Sequence, residues 1–425
     1  MQSVDVFIFL VGAFSSFYID LIGQLYISEI VLILLFPFQL LRRWKVLLKD
    51  QLTRKILFFG SLWFVSQVFT DLIRDTSTND MLRGWAGILV LLVTCSSLYL
   101  LTKKNVQRIQ FLIFGYAVGA LAALYFQPPL YFSEEPWKFG LGYPITLLVL
   151  LFISYTSGAK LRNLSKWMLP LLIIGGLFIY LNARSLGAMI ILTAIVIWLR
   201  NRKFGKVILT HLGVRNALAG GLLLGLTIWG LISIYGYAAQ NGYLGDEAQW
   251  KYVRQSSGRF GLLLGGRSEI FASVIAVRDS PVIGYGSWAK GPAYRMFLYR
   301  VIDLGYERSQ EEMSRYINQS DLIPAHSHVF QSWIWAGILG AIFWLVIFGI
   351  VIQVLIQSNR YINILYTFVI FMSVCSIWDI FFSPFGSVMR LRWAIQFIVF
   401  LAAMSYAAQV QAGPERRQEP GTRQS

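Results

Sequence analysis

The chain has 425 residues, of which 56% are hydrophobic and only 14% charged, against about 25% charged in a soluble domain. A soluble globular enzyme is excluded, because apolar runs of about 20 residues recur along the chain, each long enough to cross a ~30 Å hydrocarbon core as a helix. The formal net charge of +16 invites a nucleic-acid partner, and only the placement of the basic residues can decide that reading.

In chain order the apolar runs fall at 5–22, 26–41, 56–73, 82–101, 109–126, 141–157, 167–182, 184–199, 217–238, 327–356, 362–382 and 389–408. The first carries Asp20 near its end and is followed by Gln24, with no small-residue cleavage site, so it reads as a retained helix and not a signal peptide. Cys95 and Cys375 both lie inside runs, which gives no disulfide framework. Numbering the connections alternately puts 21 of the 37 Lys and Arg residues on one side, among them Arg42, Arg43, Arg54, Lys103 and Lys203. The short connections on the other side hold only Arg74, Arg83, Lys138, Arg184, Arg390 and Arg392. An excess of Lys and Arg marks the cytoplasmic face, so both termini are expected inside. The basic charge is then a topology signal and no nucleic acid is needed, although these loops would lie well against anionic lipid of the bilayer.

The expected fold class is an all-α polytopic membrane protein of about 12 transmembrane helices. Helices 1–9 occupy residues 1–238, an external loop or cap 239–325, helices 10–12 residues 326–408, and a disordered cytoplasmic tail 409–425. No internal repeat is visible, and the two halves do not look like inverted copies with paired broken helices, which counts against a secondary transporter.

The long connection carries Trp250, Phe260, Phe271, Tyr285, Trp288 and Phe297 among nearly balanced charges, so a folded, mostly helical cap is expected. Within it, Ile270, Phe271, Val274, Ile275 and Val277 have helical spacing. Ser268 is the candidate N-cap, Glu269 suits the positive end of the dipole, and Arg278-Asp279-Ser280-Pro281 stops the helix. Arg267 thus sits at a helix N-terminus, where a bound anion would relieve the conflict with the dipole. Arg184 repeats the pattern at the start of the eighth run, with Asn182 as candidate N-cap; it reads either as an arginine snorkelling to the interface or as an anion ligand. His326 and His328 open the tenth run after Pro324. Their spacing raises a metal site, which lacks further His or Cys partners in the loop. The other readings are a packed, hydrogen-bonded histidine or a general base kept neutral by a helix N-terminus and nearby arginines. Arg83, at the start of the fourth run, is a possible accessory cation, and Asp379 with Arg390 and Arg392 suggests a structural ion pair.

Three stretches together resemble a known superfamily. Asn182-Ala183-Arg184-Ser185-Leu186-Gly187-Ala188, Gly266-Arg267-Ser268-Glu269-Ile270-Phe271 with Asp279-Ser280-Pro281-Val282-Ile283-Gly284-Tyr285-Gly286, and Ala325-His326-Ser327-His328-Val329-Phe330-Gln331 through Gly340 are similar, in order and sidedness, to motifs of the O-antigen ligase and O-antigen polymerase superfamily. Ser327 stands where an asparagine is usual, and Trp335 where many members have an acidic residue. The resemblance implies a GT-C type glycosyltransferase of the bacterial inner membrane, with a large, mostly helical periplasmic loop between helices 9 and 10. Its donor would be an undecaprenyl-diphosphate-linked glycan and its acceptor a glycan or lipid A-core. No nucleotide sugar, metal or other cofactor is implied. Carried over by motif, Arg184 and Arg267 hold the diphosphate and His326 activates the acceptor hydroxyl, with Arg83 and His328 as possible accessories. The competing class, a lipid-linked glycan transporter or flippase, should place charges at mid-membrane depth, whereas Arg184, Arg267 and His326 all map to the outer margin.

Overall fold

The computed structural model describes residues 3–21, 23–129, 131–157, 164–201, 225, 229–230, 232–256, 269–303, 321–358 and 365–411. The elements in order are α1 (Ser3–Ala13), a hairpin of β1 (Tyr18–Asp20) and β2 (Gln24–Tyr26), α2 (Ile27–Lys49), α3 (Gln51–Ile73), α4 (Thr78–Thr102), α5 (Val106–Phe126), α6 (Gly142–Ser157), α7 (Met168–Tyr180) and α8 (Arg184–Asn201). Then follow α9 (Asp246–Ser256), α10 (Glu269–Asp279), α11 (Pro292–Asp303), α12 (His328–Ala336), α13 (Ile338–Gln357), α14 (Tyr366–Phe382) and α15 (Ser387–Gln411). Among the described residues six helices are long and apolar enough to cross a membrane, at Gln51–Ile73, Thr78–Thr102, Val106–Phe126, Trp137–Ser157, Ile338–Gln357 and Ser387–Ser405, and shorter apolar helices lie at Ser3–Ser16, Ser165–Tyr180 and Tyr366–Phe382. The protein is an all-α membrane protein. The expected ninth run, 217–238, lies mostly outside the described residues, as does most of the 409–425 tail.

Two runs differ from the expected single helices. The first, 5–22, is an eleven-residue helix followed by a 3-10 turn at Phe14–Ser16 and then the hairpin, in register Tyr18↔Tyr26. α1 packs on α5 backbone to backbone. A Cβ built on Gly12 would lie 2.4 Å from Leu112 O, one on Gly115 2.1 Å from Phe9 O, and one on Gly119 1.9 Å from Ala13 O. Small residues four apart let helices approach this closely in lipid. Gly119→Val should therefore force α1 away and lower the thermal midpoint of the purified protein. Gly176→Ala, where an added Cβ meets nothing within 4 Å, should leave the midpoint unchanged. Equal midpoints for both variants would show that the α1–α5 contact is dispensable.

The second is the 327–356 run, which breaks at Gly337 (φ +70°) into α12 and α13. A broken helix in an apolar bundle survives only if its freed backbone groups find partners. Here they do: Ile334 O accepts from Tyr285 N at 2.7 Å, Trp335 O from Gly286 N at 3.1 Å, and Ala336 O from Ser66 Oγ at 2.6 Å. A Cβ at Gly337 would lie 1.9 Å from Val282 O, so the break and the 281–288 segment fit each other only through glycine.

Two buried ion pairs fasten the start of α15. Arg390 reaches both carboxylate oxygens of fully buried Glu29 at 2.7 Å and also donates to Gln24 O. Arg392 pairs with Asp379 at 2.8 Å and stacks 4.2 Å from the Tyr143 ring centroid. The expected Asp379 pair is thus made by Arg392 alone, and Arg390 serves the hairpin end instead. Breaking one member of such a pair strands a buried charge.

Candidate functional site

The α7–α8 turn is set by Asn182, which adopts the left-handed conformation (φ +64°). Asn182 N bonds Ile179 O and Ala183 N bonds Phe178 O, the pattern that closes a helix C-terminus. Asn182 therefore ends α7 and does not cap α8, whose first bond runs from Gly187 N to Ala183 O at 2.9 Å. Arg184 is the first residue of α8. It is half-buried, with its guanidinium 4.9 Å from the Tyr235 ring centroid and 3.4 Å from Asn182 Oδ1. At the far end of α8, buried Arg200 donates to Leu355 O, close to the end of α13. α8 spans about 27 Å at 1.5 Å per residue, which puts Arg184 at the opposite end of the bundle, where α13 begins and α14 finishes.

At that same end α12 begins. Ser327 is its N-cap: Ser327 Oγ accepts from Phe330 N at 3.3 Å and donates to Ile380 O at 2.9 Å. Half-buried His326 immediately precedes it. The approach to His326 is tied on two sides, because Ile323 N donates to Ala289 O and Ser273 Oγ donates to Pro324 O, each at 2.9 Å. Ser273 is in the second turn of α10, so the start of that helix adjoins the histidine segment. Arg267, with Gly266 and Ser268, lies outside the described residues. The helix expected after it is present as α10 and stops at the predicted Asp279-Ser280-Pro281.

His328 is fully buried. Its Nε2 accepts from Trp393 Nε1 at 2.8 Å, so the proton belongs on Nδ1, which donates to Ser383 O at 2.5 Å. The ring also packs against Trp344 and Phe385. Both ring nitrogens of His328 are thus engaged within the scaffold, whereas His326 two residues earlier is half-buried.

What the sequence did not single out is the polar stripe of α3. Ser66, Gln67, Thr70, Asp71 and Arg74 recur at helical spacing on one face, and each of them holds the 280–288 segment or the end of α12. Beyond the Ser66 bond, Gln67 Nε2 donates to Ser287 Oγ at 2.9 Å, Thr70 Oγ1 to Ile283 O at 2.6 Å, Arg74 Nε to Gly284 O and Arg74 Nη2 to Ser280 Oγ at 2.8 Å. Asp71, fully buried, is the hub. Its Oδ1 accepts from Ser287 N at 2.6 Å; its Oδ2 accepts from Ser287 Oγ at 2.7 Å and Trp85 Nε1 at 2.8 Å. A run of polar residues every third or fourth position inside an apolar span is a legible signal of an interior contact.

Glycine makes the fit possible. A Cβ on Gly84 would lie 1.9 Å from Ser287 Oγ, and one on Gly286 (φ +91°) 2.3 Å from Thr76 Oγ1. At the end of the 280–288 segment, which straps α3 to the end of α12, the Trp288 ring (φ +54°) is tilted against Trp335 with centroids 5.5 Å apart, and exposed Arg83 lies 5.5 Å from the Trp288 ring. Trp335 thus serves packing at a place where an acidic residue was expected from the resemblance. On the outer side Tyr285 OH meets Tyr294 OH at 2.6 Å, which donates to Asp279 at 3.0 Å. Burial and these bonds hold the Tyr294 phenol above the usual tyrosine range.

The structure therefore brings Arg83, Arg184 and His326 to one end of the bundle. Arg83 reaches the strap through Trp288, and the His326 segment through Ala289. Arg184 stands on α8 across α14, which packs on both α8 and α12. Among the described residues no group of three or more His, Cys, Asp or Glu is placed to hold a metal ion. The chemistry at hand is that of guanidinium groups and one imidazole. No protein-family model and no curated protein matches the chain.

Proposed function

We propose that the protein is an inverting glycosyltransferase of the bacterial inner membrane, moving a glycan from undecaprenyl diphosphate to a sugar hydroxyl. The site end would face the periplasm, with twelve spans and both termini cytoplasmic. The observation that carries this reading is the convergence of Arg83, Arg184 and the His326 segment at one end, beside the start of the helix that follows Arg267.

A diphosphate leaving group departs without a proton once its charge is neutralised, and arginines do that as bidentate donors. Arg184 and Arg267 take this role, assisted by Arg83. The acceptor hydroxyl needs one base. His326 takes its proton while the oxygen attacks the anomeric carbon from the face opposite the diphosphate. The bond from that carbon to the diphosphate oxygen breaks, and undecaprenyl diphosphate leaves with both electrons. No metal or nucleotide sugar enters. The near balance of charge in 239–325 gives no field for recruiting a phosphorylated lipid A-core, so the acceptor is taken to be an uncharged sugar terminus, as in a polymerase of O-antigen or exopolysaccharide.

Deletion followed by analysis of the surface glycan tests this. Single repeats attached to lipid A-core, or loss of exopolysaccharide chains, support the polymerase; long chains accumulating on undecaprenyl diphosphate identify an O-antigen ligase. Lipid-linked repeats held on the cytoplasmic leaflet identify a flippase and overturn the proposal. The topology has its own test. In a chain lacking Cys95 and Cys375, cysteines at Ser185 and Ser256 should react with an impermeant thiol reagent in intact cells. One placed within 201–206 should not, and equal reaction at all three sites rejects the sidedness.

A further inference from the structure

The far end of the bundle carries a second feature that glycan transfer does not use. α2 kinks at Arg43 (φ −142°, ψ 17°), and its last segment leads through Asp50 into α3. Between Leu48 on that segment and the first turns of α3 lies an open cleft of about 610 Å³, lined by Gln51, Arg54, Lys55, Phe58, Phe59 and Ser61 among others. Arg54 and Lys55 precede Asp71 by 16–17 residues of α3, about 25 Å at 1.5 Å per residue, so the basic end of the cleft is well separated from the Asp71 strap.

Its lining is graded. Gln51, Arg54, Lys55, Phe58 and Ser61 follow helical spacing along one stripe of α3, basic at the helix start and aromatic about one turn further into the apolar span. Arg54, Lys55 and Phe58 are exposed, and among the described residues neither cation has a side-chain ion pair. The nearest acid, Asp50, is already committed: it accepts from Thr53 N at 3.0 Å and pairs with Lys104 at 2.5 Å. The cleft thus offers uncompensated positive charge at the start of α3 and an apolar floor about one turn further along it.

We propose that this cleft seats an anionic diacyl phospholipid, with its phosphate between Arg54 and Lys55 and its chains along Phe58 and Phe59. Charge complementarity favours an acidic headgroup, since clustered Lys and Arg at the end of a membrane helix attract one. The aromatic floor distinguishes a lipid from a free phosphate, which would gain nothing from it.

The test measures retention of phosphatidylglycerol by the full chain in mild detergent, by native mass spectrometry, with thermal midpoints recorded in parallel. Phosphatidylglycerol should be retained over phosphatidylcholine. Arg54→Gln/Lys55→Gln should lower its affinity roughly tenfold or more, and Phe58→Ala should also weaken it. The lipid-free midpoint of each variant shows whether the fold persists. Lys45→Gln/Lys49→Gln removes the same charge from outside the cleft and should change affinity less than twofold. Equal loss in both double variants would reduce the effect to diffuse surface charge and overturn the proposal. Equal retention of phosphatidylcholine would remove the headgroup, and full competition by millimolar inorganic phosphate with no effect of Phe58→Ala would make the site one for a bare anion. Each of those results also overturns it. Glycan transfer does not enter the readout, so failure here leaves the proposed function standing, and the reverse holds.

Discussion

Replacing His326 by alanine is expected to remove glycan transfer while leaving a folded protein in the membrane, whereas His328→Ala should chiefly remove the folded protein. The two histidines are two residues apart and differ in what they touch. His328 is fully buried, bonded at both ring nitrogens and enclosed by Trp344, Phe385 and Trp393. Its truncation leaves the Trp393 N–H and the Ser383 carbonyl without partners and opens a cavity, a cost of roughly 2–5 kcal/mol. His326 precedes the N-cap and is half-buried; removing a general base there should slow transfer by roughly 10²–10⁴-fold. Specific activity per folded molecule, with the thermal midpoint measured alongside, separates the two effects. Arg184→Ala should act like His326→Ala, and Arg184→Lys should restore only part of the rate because an ammonium cannot reproduce the two-pronged guanidinium. Normal glycan from both His326→Ala and Arg184→Ala would reject the assigned chemistry.

Asp71→Asn should be nearly as damaging to transfer as loss of His326, although Asp71 serves as a positioning residue. Donors converge on both of its oxygens: Ser287 N on Oδ1, Ser287 Oγ and Trp85 Nε1 on Oδ2. An amide nitrogen placed in either position meets a donor that cannot turn round, Ser287 N–H in one case and the Trp85 indole in the other. Two charge-assisted bonds are then lost or weakened, at roughly 1.5–3 kcal/mol each. The expected result is release of the 280–288 strap, read as faster backbone hydrogen exchange at Ile283 to Ser287 with α13 and α14 still protected. Ser287→Ala keeps the backbone bond and should show a smaller effect in the same direction. Unchanged exchange in Asp71→Asn would show that glycine packing alone holds the strap.

Much of this protein is written in local pattern. The apolar runs at 56–73, 82–101 and 109–126 fall inside α3, α4 and α5, because a helix satisfies its own backbone in lipid and needs only length and apolarity to be recognised. The stop at Asp279-Ser280-Pro281 and the start of α8 at Arg184 are equally local, fixed by proline sterics and by a short left-handed turn. What the pattern did not contain was contact between distant segments. The break at Gly337 looks like uninterrupted apolar helix until the Tyr285 and Gly286 amides arrive from about fifty residues upstream to take its carbonyls. The first run leaves the helix at Ala13 for a hairpin whose second strand, Gln24–Tyr26, lies beyond the run, and the glycines that let α1 approach so closely, Gly115 and Gly119, belong to another helix. Asp71 could be noticed as a polar residue in an apolar run, yet its partners, Ser287 and Trp85, come from other segments of the chain. The two histidines, alike in sequence, part company for the same reason: hydrogen bonds to Ser383 and Trp393 commit one of them to the scaffold, and those bonds exist only once the end of α14 and the start of α15 lie beside α12.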